Sequence, residues 1–461
     1  MKTRLESDSR GALEVPEEAY YGVQTLRGHN NFNITGHGSN IHFIKNIVRI
    51  KKAAAIVNRD CKSIDAITAD AIIKACDETL KNRFLDEFIT DAIQGGAGTT
   101  FNMNVNEVIA NRATEILGGK KGEYICHPND HVNCAQSTND VIPTAGKLTV
   151  LELAKPLFES IDKLISALMQ KSVEFDGIIK MGRTQLEDAV PIRLGQEFSA
   201  YASAIVRAKE RLKLSITEMQ ILNLGGTAIG TAINVKREYL DNIVPKLSEI
   251  TGYDLKRAEN LIDATQNVDS FSAVSGSLKA LAISLSKMSN DLRLLSSGPK
   301  TGIGEINLPA MQNGSSIMPG KVNPVIPEVV SQVAFAVMGN DVTIALAAEA
   351  GQLELNAFEP VIFYKLFESM VCITNAIRTL TDNCIKGIVA NAENCEDLLK
   401  QSVGIVTAIC PYIGYKKAAE IAKEALKKNM SVKDLILKKG LMDENLLNKA
   451  LDPLKMTEPE K

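Results

Sequence analysis

Gly314-Ser315-Ser316-Ile317-Met318-Pro319-Gly320-Lys321-Val322-Asn323-Pro324 is the stretch on which the reading of this chain turns. Its eleven residues hold two prolines, two glycines, two hydroxyls, one ammonium and one amide. No regular element tolerates that mixture. Pro319 and Pro324 each remove a backbone donor, and Gly314 and Gly320 open backbone angles closed to other residues. On both sides the sequence returns to long helix-competent runs. A polar loop between helices, rich in donors and poor in apolar anchors, is more often a site than a connector.

Three readings compete for it. Gly-x5-Gly-Lys approaches a phosphate-binding loop, but the spacing is one residue too long. Val322 stands where the Mg-binding hydroxyl belongs, and no strand leads in, so that reading is rejected. A plain Gly/Pro turn is the second. The third is a mobile catalytic loop, with Ser315 or Ser316 as nucleophile or base and Lys321 with Asn323 gripping an anion.

Working outward, two more polar interruptions lie upstream. Gln94-Gly95-Gly96-Ala97-Gly98-Thr99-Thr100 places three glycines in four residues, but Phe101 occupies the last glycine of a dinucleotide pattern. A backbone-lined anion pocket at a helix start fits better, with Thr99 as hydroxyl donor. Asn102, Asn104 and Asn106 read as supports. His127 to Asp140 ends in Ser137-Thr138-Asn139-Asp140, whose bland reading is a helix N-cap. Gly182-Arg183-Thr184-Gln185-Leu186-Glu187-Asp188-Ala189-Val190-Pro191 is the next interruption. Each segment is rich in hydroxyls and amides and poor in acids, a set suited to a small dicarboxylate, with Lys321 neutralising charge.

Between them the pattern is helical. Helices are expected over 43–60, with Ile47, Ile50, Ala54 and Val57 on one face, over Ile64 to Leu80, and over Leu85 to Ile93, in a first hundred residues that otherwise read as irregular. Residues 143–175 follow, with a kink at Pro156. A helix of about 30 residues fits 193–222, about 45 Å long. Leu261 to Ser297 and Pro327 towards Asn356 complete the long elements. Alanines on the last one favour close helix packing, and helices this long suggest a multi-subunit bundle. Beyond Gly387 the chain breaks into short helices, Ser431 opening one as a cap, and the end from Lys455 reads as frayed. The domains expected are 1–140 (mixed helical), 141–390 (long-helix bundle) and 391–461 (small, helical).

Composition excludes several classes. A net charge of −3 across 461 residues gives no reason for nucleic acid or an anionic membrane as partner. Trp is absent and aromatics are 5%, against base-stacking platforms. No unbroken apolar run reaches the roughly 18 residues needed to span a bilayer. The first residues carry acids where a signal peptide needs an apolar block. Eight scattered cysteines without Cys-x-x-Cys read as reduced thiols and a cytoplasmic compartment. His127 and His131 are four apart, but Pro128 lies between them and no acid-rich helix surrounds them, against a metal site.

The Gly314–Pro324 stretch resembles the signature loop of the aspartase/fumarase superfamily. Gly95–Thr99, Ser137–Asp140 and Gly182–Pro191 match that family's substrate segments. The likeness runs from about Val15 to the chain's end and is nearest the aspartase branch: Gln185 stands where fumarases carry His, and Glu359-Pro360 where they place a basic residue. The resemblance implies a mainly α, three-domain lyase fold whose long helices assemble into a twenty-helix core in a homotetramer, with sites shared between subunits. It implies reversible deamination of L-aspartate to fumarate and ammonia through an aci-carboxylate intermediate. Ser315 would be the general base. Lys321 and Asn323, helped by Thr184, would bind the α-carboxylate. Thr99, Ser137, Thr138 and Ser316 would hold the β-carboxylate, and Asn139 with Gln185 would face the amino group. Arg27 is a further candidate anion contact. No cofactor is required on this reading, and a divalent cation such as Mg2+ enters only as an activator. Hydration of fumarate, or a catalytically retired structural homologue, are the alternatives.

Overall fold

The computed structural model describes residues 2–459. Strands β1 (Thr3–Asp8) and β2 (Gly11–Pro16) open the chain, followed by helices α1 (Val23–Asn31), α2 (Ile41–Asp60), α3 (Ala66–Leu80), α4 (Thr99–Ile116) and α5 (Thr138–Glu174). A hairpin, β3 (Ile179–Thr184) and β4 (Glu187–Arg193), leads into α6 (Leu194–Thr217). Then come β5 (Ile221–Leu222), α7 (Arg237–Thr251), β6 (Lys256–Arg257), the single turn α8 (Asp263–Gln266), α9 (Asp269–Leu295) and β7 (Ile306–Asn307). Helices α10 (Val325–Glu349) and α11 (Glu359–Asn383) precede β8 (Val389–Ala390). The chain closes with α12 (Ala392–Gln401), α13 (Cys410–Ile413), α14 (Tyr415–Lys428), α15 (Val432–Lys438) and α16 (Glu444–Ala450). The fold is mainly α; among the described residues the strands make four two-stranded sheets.

Two compact units share this chain. One takes the residues up to Leu157 with Glu210–Ala280 and Phe335–Cys372; the other takes Phe158–Lys209, Leu281–Ala334 and Ile373 onward. The five longest helices, α5, α6, α9, α10 and α11, each have residues in both.

In the first unit, Phe43 of α2 meets Phe101 of α4 edge-on at 5.4 Å and Phe363 of α11 at the same distance, and Phe271 of α9 meets Phe363 at 5.1 Å. Burying each such ring contributes about 1.5–3 kcal/mol, before the further gain of edge-to-face geometry. Gly146 is small because Phe363 crosses α5 there: an added Cβ would lie 2.5 Å from the ring. Asp341 of α10 accepts from Ser275 and Lys279 of α9, and Asn340 donates to Ser369 of α11 at 3.0 Å. In the second unit Phe175 packs on Phe198 at 5.3 Å, Tyr201 donates to Asp291 at 3.0 Å, and Arg378 donates to Ser160 at 3.2 Å. The spacing read for α9 holds: Val274, Leu278, Leu281 and Leu285 are all buried.

Several expectations need correction. The helices expected over 43–60 and Ile64 to Leu80 are present as α2 and α3, but α1 and the β1–β2 hairpin were not read, the hairpin because only Glu6 and Val15 of its strands are buried. Leu85 to Ile93 is not a helix beyond one 3-10 turn at Leu85–Glu87. The Asp91 carboxylate accepts from the backbone of Ile34, Thr35, Gly36 and Ile93, drawing that stretch into a loop. Helix α5 begins at Thr138, five residues earlier than read. The 193–222 helix stops at Thr217, where a 3-10 turn hands the chain to β5 paired with β6. Leu261 to Ser297 is broken at Asn267, an extended residue between α8 and α9. Helix α10 ends at Glu349, because Asn356 Nδ2 takes the carbonyls of Ala347 and Ala348 at 2.9 and 3.1 Å, while its Oδ1 accepts Phe358 N ahead of α11.

The C-terminal helices close over Ile409, Ile421, Val432, Leu435, Ile436 and Leu447. Ser431 Oγ caps α15 by accepting Asp434 N at 3.1 Å, as read. The expected fraying is not seen at Thr457 and Glu458, which hold Arg193 and Gln196; residues 460 and 461 lie outside the described range. By length and mean hydropathy, α10 (1.5) and Glu359–Gly387 (1.2) are apolar enough to cross a membrane, which a count of unbroken apolar runs had excluded. Asp341 and Glu368, each hydrogen-bonded to a neighbouring helix, interrupt them.

Candidate active site

In the first unit, Gly96, Ala97 and Gly98 are all left-handed (φ 85°, 53° and 84°) and turn the chain into α4. Thr99 sits exposed at that helix start, its hydroxyl donating to Gly96 O at 2.8 Å. The helix start of α5 lies against it. A Cβ on Gly98 would stand 2.9 Å from Ile142 Cγ2, and Asn102 Nδ2 reaches Thr138 Oγ1 at 3.4 Å. The Ser137–Asp140 run is a capping box as well as a candidate binding segment: Ser137 Oγ accepts Asn139 N at 3.2 Å, and Asp140 Oδ1 accepts Ser137 N at 2.9 Å. The starts of α4 and α5, each with its positive partial charge, thus lie side by side.

Beneath them lies a layer the sequence reading missed. Asp140 is wholly buried and its other oxygen accepts Gly225 N and Thr227 N at 3.0 and 3.1 Å. Burial still pushes its carboxyl up to about 6. Asn139 donates to Ala228 O at 2.7 Å and its carbonyl accepts from Asn223. Asn133 Oδ1 accepts from Lys51, Asn102 and Asn106 at 2.9, 3.1 and 3.2 Å. The glycine pair at 225 and 226 was the available signal for the 223–228 loop; Lys51, in an ordinary helical run, gave none.

In the second unit, Thr184 and Gln185 stand at the tip of the β3–β4 hairpin, both exposed. Gln185 and Leu186 have φ of 56° and 67°, the two left-handed positions of a type I′ turn. A two-stranded hairpin is marginal alone. This one is anchored by Glu305, fully buried, which accepts from Arg183 at 2.8 Å and pairs with Lys180 at 3.0 Å. Lys180 also meets Glu197 at 2.8 Å.

The Gly314–Pro324 loop belongs to the second unit too. Gly314 N donates to Lys321 O and Asn323 Nδ2 to Gly314 O, both at 2.8 Å, closing the loop at its base. A Cβ on Gly314 would lie 2.5 Å from Lys321 O, so only glycine fits. Ser315 Oγ accepts the backbone N–H of Ile317 and Met318 at 3.2 and 3.1 Å. Ser316 and Lys321 are exposed. Thus Thr99, Ser137, Thr138 and Asn139 fall in the first unit, and Thr184, Gln185, Ser315, Ser316, Lys321 and Asn323 in the second. Arg27, in the first, is engaged by Asp8 at 2.9 Å and Gly11 O at 3.2 Å.

The two histidines near residue 130 serve the backbone. His131 Nδ1 accepts His127 N at 2.8 Å and His127 Nδ1 accepts Asp130 N at 3.2 Å, closing a local turn. Among the described residues no group of three or more His, Cys, Asp or Glu is placed to hold a metal.

Known proteins resemble this chain along its length. A family model described as "Lyase" matches residues 11–339, and one described as "Fumarase C C-terminus" matches 405–458. The aspartate ammonia-lyase of Helicobacter pylori is 53% identical over 459 residues, 99% of this chain and 98% of that protein. That of a Bacillus species is 49% identical over 457 residues, covering 99% and 98%. Among solved structures, a fumarate lyase:delta crystallin from Brucella melitensis bound to cobalt superposes with a TM-score of 0.96 at 47% identity, over 99% of this chain and all of that one. A class II fumarase from Schistosoma mansoni gives 0.97 at 35% identity, covering 100% of both.

Proposed function

The chain belongs to the aspartase/fumarase superfamily of lyases, and from that premise we propose that it deaminates L-aspartate reversibly to fumarate and ammonia. The observation that carries the chemistry is the pair of N–H groups on Ser315 Oγ. A serine is a poor base because its alkoxide is too costly in water. Two backbone donors occupy the hydroxyl's lone pairs, and the negative charge left on ionisation forms against them, with the Lys321 ammonium on the same loop.

On this reading Ser315, as the alkoxide left once its hydroxyl proton has passed to solvent, removes a proton from Cβ and becomes the neutral hydroxyl. The electron pair of that bond moves into the β-carboxylate as an aci-carboxylate, then returns to form the double bond as the Cα–N bond breaks and ammonia leaves on the opposite face. Thr99, Ser137, Thr138 and Ser316 donate to the β-carboxylate. Lys321, Asn323 and Thr184 hold the α-carboxylate; Asn323 keeps one amide hydrogen for Gly314 O and offers the other. Asn139 and Gln185 face the amino group. Gln185 supports an amine over water as the leaving group's partner, since an amide cannot relay a proton as an imidazole can. No cofactor is assigned to the elimination; a divalent cation such as Mg2+ would enter as activator.

The same reading includes a homotetramer whose sites draw segments from several subunits. Helix α10 supports it: Val329, Phe335, Val342 and Leu346 are 40–64% exposed along one face of this chain, a stripe that calls for a partner. The eight unbridged thiols suit a reducing cytoplasm.

The deciding experiment supplies purified protein with L-aspartate and, separately, L-malate, and follows fumarate by its absorbance. Fumarate from aspartate is expected. Fumarate from malate alone would reassign the protein as a hydratase, and none from either would leave a structural homologue.

A further inference from the structure

Lys51 of α2 has no exposed surface. Its ammonium donates to two neutral amide oxygens, Asn133 Oδ1 at 2.9 Å and Gln136 Oε1 at 3.0 Å. Burying an ammonium on neutral partners costs several kcal/mol, where an apolar side chain of similar length would cost nothing. A lysine kept there therefore has a use for its charge.

The contacts point to that use. Asn133 Oδ1 also accepts from Asn102, and the same Asn102 amide reaches the Thr138 hydroxyl at 3.4 Å. Gln136 immediately precedes Ser137. The ammonium thus stands two side-chain amides, Asn133 and Asn102, behind the Thr138 hydroxyl, and it also bonds the residue before Ser137. In the elimination proposed above, the α-carboxylate has Lys321, whereas the group that gains charge, the β-carboxylate, has hydroxyls alone. We infer that Lys51 is the buried cation behind the β-carboxylate pocket, stabilising the aci-carboxylate through Asn133, Asn102 and Gln136 without touching it. This inference rests on the assignment of Thr138 and Ser137 to that carboxylate. Lys51 is accordingly a positioning residue whose effect is electrostatic and falls on the intermediate more than on the bound substrate.

The titratable groups that face Lys51 are Asp140 of α5 and the Cys76 thiol of α3, which burial holds neutral. Asp140, whose oxygens accept three backbone N–H groups, is an acid, and when ionised it offsets part of the Lys51 charge at the pocket.

Two variants of the full-length protein test this at pH 6.5, below the value of about 7 to which burial depresses the Lys51 ammonium, so that its charge is present. Lys51→Met removes the charge. Gln136→Glu keeps the shape, offers Lys51 a stronger acceptor and cancels its charge in place, while giving up the bonds that Gln136 Nε2 donates to Val132 O and Cys134 O at 3.0 and 3.1 Å. Expected for each is a fall in kcat on aspartate of about tenfold or more, the scale of a unit charge in a water-poor site. Succinate Kd by calorimetry should change by less than about threefold in both. A brace for the turn would give the opposite pattern: Gln136→Glu would keep its kcat, and that result overturns the inference. Should Lys51→Met fail to fold, Gln136→Glu is judged against Gln136→Met, which gives up the same two donor bonds without adding a charge and should keep the higher kcat. If the unmodified protein bound succinate but released no fumarate from aspartate, the elimination reading would fall, and the role of Lys51 with it.

Discussion

Arg183 donates to the buried carboxylate of Glu305 at 2.8 Å, one residue before the turn that presents Thr184 and Gln185. Lys180 reaches the other oxygen of the same carboxylate. Two cations on one strand are thus fixed to a single acid on a distant loop, and the hairpin tip inherits that rigidity.

Removing the acid alone should be severe. Glu305→Ala leaves Lys180 and Arg183 without their shared partner, and breaking a buried pair typically costs about 3–5 kcal/mol. Denaturant unfolding at fixed protein concentration measures it. Lys180→Met combined with Glu305→Leu and Glu197→Leu should recover much of the loss, because Lys180 and both of its acids are then gone. A triple variant no better than Glu305→Ala would mean that the network supplies more than charge balance.

Ser315→Ala is expected to retain the oligomer and succinate binding while losing at least about 100-fold in kcat. Lys321→Ala should instead raise KM most. Steady-state rates on aspartate separate the two; near-normal turnover in the serine variant removes Ser315 as the base, and an unchanged KM in the lysine variant removes Lys321 from the α-carboxylate.

The buried pair at the α5 start predicts a pH dependence of stability whose sign is fixed. Burial depresses the Lys51 ammonium to about 7, against an ordinary 10.5 once unfolded. Between those values the unfolded chain holds a proton that the folded one lacks, so stability rises with pH there, by up to about 1.4 kcal/mol per pH unit from this group. Below about 7 both states are protonated and the slope vanishes. Asp140, raised to about 6 by burial, acts only on the acid side: stability from it falls as pH climbs from 3.8 to 6. Lys51→Met should therefore lose the upward slope between pH 7 and 10, read from unfolding curves across that range. Identical slopes in both proteins would show that Lys51 does not titrate there.

Phe335 and Leu346 are 61% and 64% exposed on the same face of α10. Phe335→Glu, placing a charge in that stripe, should shift the protein from the proposed tetramer to smaller species in sedimentation and abolish turnover with it, because the proposed sites draw on several subunits. A monomeric variant of full activity would refute shared sites.

The helices were legible where a single periodicity governed them. Val274 to Leu285 on α9 sit at helical spacing and are buried as their spacing requires. Boundaries failed where a side chain from elsewhere decided them, as Asn356 does for α10 and Asp91 does for the stretch before Gln94. The β1–β2 hairpin failed for a different reason: with both faces largely solvated it has no alternating pattern to read. At the candidate site, the residues that would meet a ligand stood out as polar interruptions. Those that hold them in place, Lys51 under α5 and Glu305 under the hairpin, lie in ordinary sequence, because partners brought together only by folding leave no local mark.

Gly98 gives the sharpest test of how the two helix starts are set. Its φ of 84° is costly for any side chain, and a Cβ would also stand 2.9 Å from Ile142 Cγ2 on α5. Gly98→Ala must therefore push the starts of α4 and α5 apart or forfeit the left-handed turn, at roughly 1–2 kcal/mol for the backbone alone. Thr99 moves relative to Thr138 in either case. Because both hydroxyls are assigned to the β-carboxylate, succinate affinity should fall about tenfold or more while the Ser315 loop is untouched. Adding Ile142→Ala removes the steric part but not the backbone cost, so calorimetry on the double variant should show partial recovery of affinity. Full affinity in Gly98→Ala would mean that the spacing of these two helix starts does not set the pocket.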